Sequence, residues 1–300
     1  MSQSAIEHDH GHLVFVDPAN DPLPAWRRTL RYHLTRATLW VLVRCWFRLR
    51  LEGFERLPEP PYVLVFNHLS WADPMILYAT WPASVRVHVY GPKEADMAVG
   101  WRNRLIGWIG HAVPFDPEKS HLLTSAKRAV AVLKADRVLA IAGEGRLTED
   151  EDVVLPLNEG AAFFAIRAGA PILPVAINGT RWLAFGKVVR VRVGTPIPTT
   201  ALRADREVLR EVTDRLQADL GDLVLGYPDR RIPGPVGRWL TDAFADRPWR
   251  AAEAAAAAAA GAAASSSPPE GAQAEATAAA DGAAERRAAE AAAGRPPTAA

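Results

Sequence analysis

The sequence predicts an α/β domain, a mixed sheet flanked by helices, and three observations predict it. Short apolar runs rich in β-forming residues recur along the chain, and segments with apolar residues at helical spacing separate them. Alternation of this kind is the pattern of a sheet covered by helices on its faces. The informative polar residues follow directly after the apolar runs, where such sheets gather their chemistry in loops. No internal repeat is visible.

The elements are justified in order. Gly53 with Pro58, Pro60 and Pro61 marks a turn-rich approach to the first strand. Tyr62–Phe66 (YVLVF) reads as a buried strand, and Pro74–Trp81 as a helix. Val85–Tyr90 reads as a strand, Lys93–Ile109 has helical character, and Ala112–Phe115 is a brief strand. Leu122–Ala135 carries Leu, Ala and Val at helical spacing. A strand at Val138–Ala142, a helix at Gly160–Ala168 and a strand at Ile172–Ile177 follow. Val188–Val193 alternates like a sheet member with one wet face, and Ala201–Leu220 is a charged amphipathic helix.

The chain divides by composition. Residues 1–24 are a polar arm, 25–50 a basic helical segment, 51–248 the folded domain, and 249–300 an Ala-rich tail. From Ala251 onward there is no Leu, Ile, Val, Phe, Trp or Tyr, so the tail has nothing to bury against the entropy of ordering it and is expected to be disordered. The formal net charge is +1, yet seven arginines and no acid lie between Trp26 and Leu51. Such a cluster, Arg27 to Arg50, suits an anionic surface. Its apolar stretch Ala37–Phe47 falls short of the ~20 residues needed to span a bilayer and contains Arg44. Two readings stand: a helix resting at a membrane surface, with Trp40 and Trp46 at the headgroup boundary, or an ordinary helix of the domain. Nucleic acid is not expected as a partner, because binding it calls for a basic face beyond one helix. The lone Cys45 excludes an intrachain disulfide and fits a reducing compartment, and the polar first twenty residues do not read as a secretory signal.

Four blocks carry candidate chemistry. Asn67-His68-Leu69-Ser70-Trp71-Ala72-Asp73 follows YVLVF. A tight turn can bring the Asp73 carboxylate back to the His68 imidazole, fixing its tautomer and making it a base suited to neutral pH. Equally, His68 and Asn67 can satisfy the loop backbone while Asp73, followed by Pro74, caps a helix. Gly143-Glu144-Gly145-Arg146 follows VLAIA; its glycines permit close backbone approach and its guanidinium suits phosphate, though a simple polar turn reads as well. The third block is His111–Lys119, and the fourth is the apolar strand around Pro174, whose composition points to core. His8, His10 and His12 raise a metal hydrolase as a rival, and the arginine-rich segment raises a non-catalytic membrane binder.

In this order the four blocks resemble the glycerolipid acyltransferase family that includes 1-acylglycerol-3-phosphate acyltransferase. Its first block, Asn-His-x-Ser-x-x-Asp, is complete here as Asn67, His68, Ser70 and Asp73. Its Glu-Gly block corresponds to Glu144, Gly145 and Arg146, and its last apolar block to the stretch around Pro174. The resemblance implies a general base at His68, an orienting carboxylate at Asp73, an acceptor-phosphate site at Glu144–Arg146, and Asn67, Ser70 and Pro174 in support. Pro117 stands where the family's second block ends in Arg, which leaves Lys119 as the nearby cation. The implied reaction moves a fatty acyl group from acyl-CoA or acyl carrier protein to lysophosphatidate. Glycerol 3-phosphate and other lysolipids are the alternative acceptors. Neither metal nor cofactor is implied, and the cytoplasmic face of a membrane, held peripherally or monotopically, is the implied location.

Overall fold

The structure, a computed structural model, describes residues 24–93, 108–115 and 122–244. His8, His10, His12, Lys119, the Ala-rich tail and most of the helix expected over Lys93–Ile109 lie outside the described residues.

Seven strands form one mixed sheet: β1 (Arg48–Glu52), β2 (Tyr62–Phe66), β3 (Val87–Lys93), β4 (Ala112–Phe115), β5 (Val138–Ala142), β6 (Ile172–Asn178) and β7 (Val188–Val193). Their order across the sheet is β1-β7-β6-β2-β5-β3-β4. β2 lies parallel to both β5 and β6, and only the β6–β7 pair is antiparallel. All five residues of β2 are buried, as a strand covered on both faces requires. Successive side chains point to opposite faces. Accordingly Tyr62, Leu64 and Phe66 join one core layer with Tyr32, Trp81 and Leu77, whereas Val63 and Val65 join the other with Leu139, Phe164 and Leu216. The first layer is covered by α1 (Ala25–Trp46) and α2 (Asp73–Thr80). The second is covered by α3 (Leu122–Lys134), α4 (Gly160–Ala168) and α5 (Arg206–Val224); α6 (Pro235–Phe244) follows.

Several boundaries differ from the sequence expectation. The basic segment is not helical throughout: α1 ends at Trp46, and Arg48–Glu52 turns into the edge strand β1, paired in parallel with Val188–Arg192. An edge strand buries little, so its charged alternation RLRLE imitates a surface segment. The amphipathic helix expected from Ala201 begins at Arg206 and continues to Val224, and α6 was not anticipated. Among the described residues no helix is long and apolar enough to cross a membrane.

Tyr32 anchors α1. Its hydroxyl donates to Val85 O at 3.0 Å, and its ring lies 4.4 Å from that of His111, which in turn lies 4.7 Å from His88. Both imidazoles are buried. Burial, with His111 and Arg137 beside it, holds His88 well below the ordinary histidine range, and burial brings His111 down to about 4. In the unfolded chain both take up protons near 6.5. The neutral pair therefore contributes stability fully above about pH 6.5 and loses it as pH falls towards 4. Thermal denaturation is expected to give a lower Tm at pH 5 than at pH 7.5, with a shallower decline in His111→Phe.

Candidate active site

The central strand delivers the first loop. Asn67 continues the pairing of β2 with β6 through its side-chain amide, accepting from Ile177 N at 2.7 Å and donating to Ile177 O at 2.9 Å. The chain then turns, and Asp73 N–H donates to Ser70 O at 3.0 Å. Asp73 Oδ2 accepts from Leu69 N at 2.8 Å and Ser70 N at 2.9 Å, and it lies 2.9 Å from His68 Nδ1. Asp73 Oδ1 accepts the Thr180 hydroxyl at 2.5 Å. Asp73 is fully buried, whereas the His68 side chain keeps 17% of its surface exposed. The expected capping role of Asp73 is corrected. It is the first residue of α2, and its carboxylate turns back into the loop because the two loop N–H groups and the imidazole converge there. Ser70 Oγ is buried and accepts from Ala72 N at 3.1 Å.

The second loop leaves β5 beside it. Gly143 N donates to Phe66 O at 3.1 Å, and Thr148 N donates to His68 O at 2.7 Å. A Cβ on Gly143 would stand 2.8 Å from side-chain atoms of both Val65 and Leu157, which explains the glycine. Gly145 takes φ +66°, the left-handed region that favours glycine. The three residues that the resemblance assigned to the acceptor phosphate are placed differently from one another. Glu144 is buried, and its Oε1 accepts from His68 N at 3.2 Å, so its carboxylate braces the backbone of His68. Arg146 is exposed and, among the described residues, makes no hydrogen bond or ion pair. Gly145 and Arg146 line a cleft of about 720 Å³ together with His68. Phe66, Trp71, Tyr90, Ile141 and Phe164 contribute to its walls, so the cleft is apolar along its length and cationic at Arg146.

Residues 48–178 match the family model Acyltransferase. The chain is 26% identical over 207 residues to the 1-acyl-sn-glycerol-3-phosphate acyltransferase of Saccharomyces cerevisiae, covering 63% of this chain and 67% of that protein. It is 25% identical over 157 residues to the chloroplastic 1-acyl-sn-glycerol-3-phosphate acyltransferase of Brassica napus, covering 50% of this chain but only 43% of that one. Among solved structures, the 1-acyl-sn-glycerophosphate (LPA) acyltransferase PlsC of Thermotoga maritima aligns with a TM-score of 0.52 at 19% identity, covering 69% of this chain and 86% of its own. At that identity the likeness is one of fold. The resemblance carried by the four blocks holds, and with it the α/β fold.

Thr180 is the neighbour of Asp73 that sequence reasoning missed. It lies 107 residues from Asp73 and belongs to no recognisable motif; its position just after the apolar strand β6 was the available signal. Pro174 sits inside β6, opposite Val65. Its carbonyl accepts from Gly194 N at 2.9 Å, while the ring nitrogen can return no bond, so β7 diverges there; Pro174 shapes the sheet and is remote from the cleft lining.

Two buried glutamates flank Asp73. Burial pushes Glu144 up to about 7, and the nearby Asp73 adds to the shift, against the N–H groups of His68 and Leu155 and the charge of Arg146. Burial also raises Glu151, whose Oε2 accepts from Gly179 N at 2.7 Å and whose Oε1 lies 3.6 Å from the buried Lys187 ammonium. A carboxyl group raised in the folded state binds its proton more tightly there. The Glu144 contribution is thus full below its unfolded value of about 4.5 and lost as pH rises through about 7. Glu144→Gln is expected to lose less Tm than the wild type between pH 6 and pH 8.5.

Thr180→Val would leave the Asp73 oxygen buried without its donor. The expected cost is about 1–3 kcal/mol in denaturant unfolding, with the midpoint lowered and the slope unchanged.

Proposed function

We propose that the domain esterifies the free hydroxyl of lysophosphatidate, or of a closely related lysophospholipid, with a fatty acyl group taken from a thioester. The observation that carries this reading is the 2.9 Å contact between His68 Nδ1 and Asp73 Oδ2 at the wall of an apolar cleft. An ionised carboxylate only accepts hydrogen bonds, so the Nδ1 proton faces Asp73 and Nε2 presents its lone pair. Among the described residues Nε2 has no hydrogen-bond partner.

In the proposed reaction Nε2 removes the proton of the acceptor hydroxyl as its oxygen attacks the thioester carbonyl. The new C–O bond forms, the C–S bond breaks, and the imidazolium returns its proton to the departing thiolate. Asp73 stabilises the imidazolium and holds the ring in place. No enzyme nucleophile enters: Ser70 Oγ is buried and engaged with the loop backbone, away from solvent. No metal or cofactor is required by the chemistry as written, and acyl-CoA and acyl carrier protein are equivalent as thioesters. The apolar walls suit an acyl chain, and Arg146 suits the acceptor phosphate as a planar, charged fork. The names of the two curated relatives favour lysophosphatidate as acceptor.

The basic helix supports work at a membrane surface, which we assign to the cytoplasmic face. Trp26, Leu30, Leu34 and Val41 recur at helical spacing on the outer side of α1 and are half or more exposed, opposite the buried Tyr32, Thr35 and Val43. Arg27 lies over the Trp26 ring at 5.2 Å and Arg44 over the Trp40 ring at 5.4 Å. Apolar surface edged by arginine and tryptophan is the composition of an interfacial helix.

Purified chain is to be assayed with labelled acyl-CoA or acyl carrier protein against lysophosphatidate, glycerol 3-phosphate and a lysolipid with a larger head group. Transfer to lysophosphatidate is expected to be fastest. His68→Ala is expected to lower kcat by about 10²–10⁴-fold, and Asp73→Asn to lower it with little change in KM. Arg146→Ala is expected chiefly to raise KM for the phosphate-bearing acceptor. Undiminished transfer by His68→Ala would remove the mechanism.

A further inference from the structure

We propose that α6 and the loop tip at Phe185 form a second membrane-seating surface, which docks on an anionic phospholipid bilayer beside α1. The inference extends the membrane-surface reading to a part of the chain outside the matched family segment.

α6 is packed the wrong way round for a helix that belongs only to a soluble core. Its inner face is small and polar. A Cβ on Gly237 would stand 2.9 Å from Leu183 O, and Thr241 Oγ1 accepts from Leu183 N at 2.9 Å while donating to Gly237 O at 2.6 Å. Phe244 at its end packs against the core, but Val236, 65% exposed, and Trp239, 69% exposed, face outward. Large outward apolar groups on one helix face mark an interaction surface.

One loop joins this helix to α1. The loop that receives α6 also closes on the end of α1: Gly186 N donates to Trp46 O at 2.7 Å, Trp46 Nε1 donates to Leu183 O at 3.2 Å, and the Phe185 ring meets Trp46 edge-on at 5.4 Å. Phe185 is itself 69% exposed. Exposed apolar groups thus lie on α1 at Val41 and Leu42, on the connecting loop at Phe185, and on α6.

Charge and position name the occupant. α1 carries five arginines and no acid, which complements anionic head groups, while on α6 Arg238 and Asp242 balance in charge. At its far end, α6 is bonded to the catalytic loop, since Trp71 N donates to Phe244 O at 2.9 Å, and Trp71 lines the cleft. Seating α6 on lipid would bring the cleft mouth to the surface from which a lysolipid acceptor enters.

The test is co-sedimentation of the full chain with phosphatidylcholine vesicles containing phosphatidylglycerol. Phe185→Asp and Trp239→Asp are each expected to lower the partition coefficient about tenfold, since each loses apolar insertion and adds a repelled charge. Leu123→Asp, an equally exposed apolar position on α3, is expected to partition like the wild type, and Trp239→Phe to retain binding. Circular dichroism of each variant verifies folding. Partition unchanged in both patch variants overturns the proposal, as does a change of oligomeric size in lipid-free solution with partition intact, which would assign the surface to a second copy. Partition does not depend on catalysis. Loss of vesicle binding by Trp239→Asp in a chain without acyl transfer would sink the enzymatic reading and leave the surface standing. Activity that collapses in His68→Ala while all patch variants bind vesicles normally would do the reverse.

Discussion

The buried carboxylate of Asp73 is the tie on which the site depends. Its two oxygens gather donors from separate parts of the chain: the loop after β2 through His68, Leu69 and Ser70, and the segment after β6 through Thr180. Hydrogen bonds to an ionised group are roughly twice as strong as neutral ones, and a buried charge left without partners costs several kcal/mol. One residue thus fixes the loop backbone, the orientation of the imidazole and the start of α2 together. Loss of any donor is felt by the others through the same oxygen atoms.

Sheet topology is what makes that convergence possible. β2 lies between β5 and β6 and parallel to both, so three carboxyl ends emerge along one edge. His68, the Gly143–Arg146 loop and Thr180 come off those three ends. They are far apart in the chain, 76 residues from His68 to Glu144 and 107 from Asp73 to Thr180. The Asn67 amide prolongs the β2–β6 pairing by one step, so that the loop departs at a fixed height above the strands. Glu144, from the neighbouring strand, then holds the backbone of His68 from below.

Strands buried on both faces were legible in the sequence because their apolar runs end abruptly at polar loops. The bounds of β2, β4, β5 and β7 coincide with the expected ones. The His68–Asp73 pair was legible too, since both members lie within one short loop. Thr180 was not, because its partnership is a tertiary contact that leaves no local pattern. β1 was obscured for a different reason. Its charges face solvent at the sheet edge, so alternation with arginine looked like a continuation of the basic helix. Glu144 shows a third limit: the Glu-Gly-Arg spacing predicted one phosphate site, but backbone geometry at Gly145 sends the carboxylate inward and the guanidinium outward.

Charge balance around Asp73 follows from the same packing. Three carboxyl groups, Asp73, Glu144 and Glu151, share one interior, and the Asp73 charge helps to push both glutamates up. Each is accommodated by its own means. Asp73 has its donors, and Glu151 has the Lys187 ammonium at 3.6 Å, itself lowered by burial and lying 5.6 Å from the centroid of the Tyr227 ring. Among the described residues Glu144 has no cation in contact, only backbone N–H groups and the more distant Arg146, so near neutrality it is the group that keeps or releases a proton. Glu144 adds negative charge beneath His68 as pH passes about 7. The glutamate that the resemblance assigned to the acceptor phosphate is thus buried beside His68 and bonded to its backbone, on the protein side of the loop.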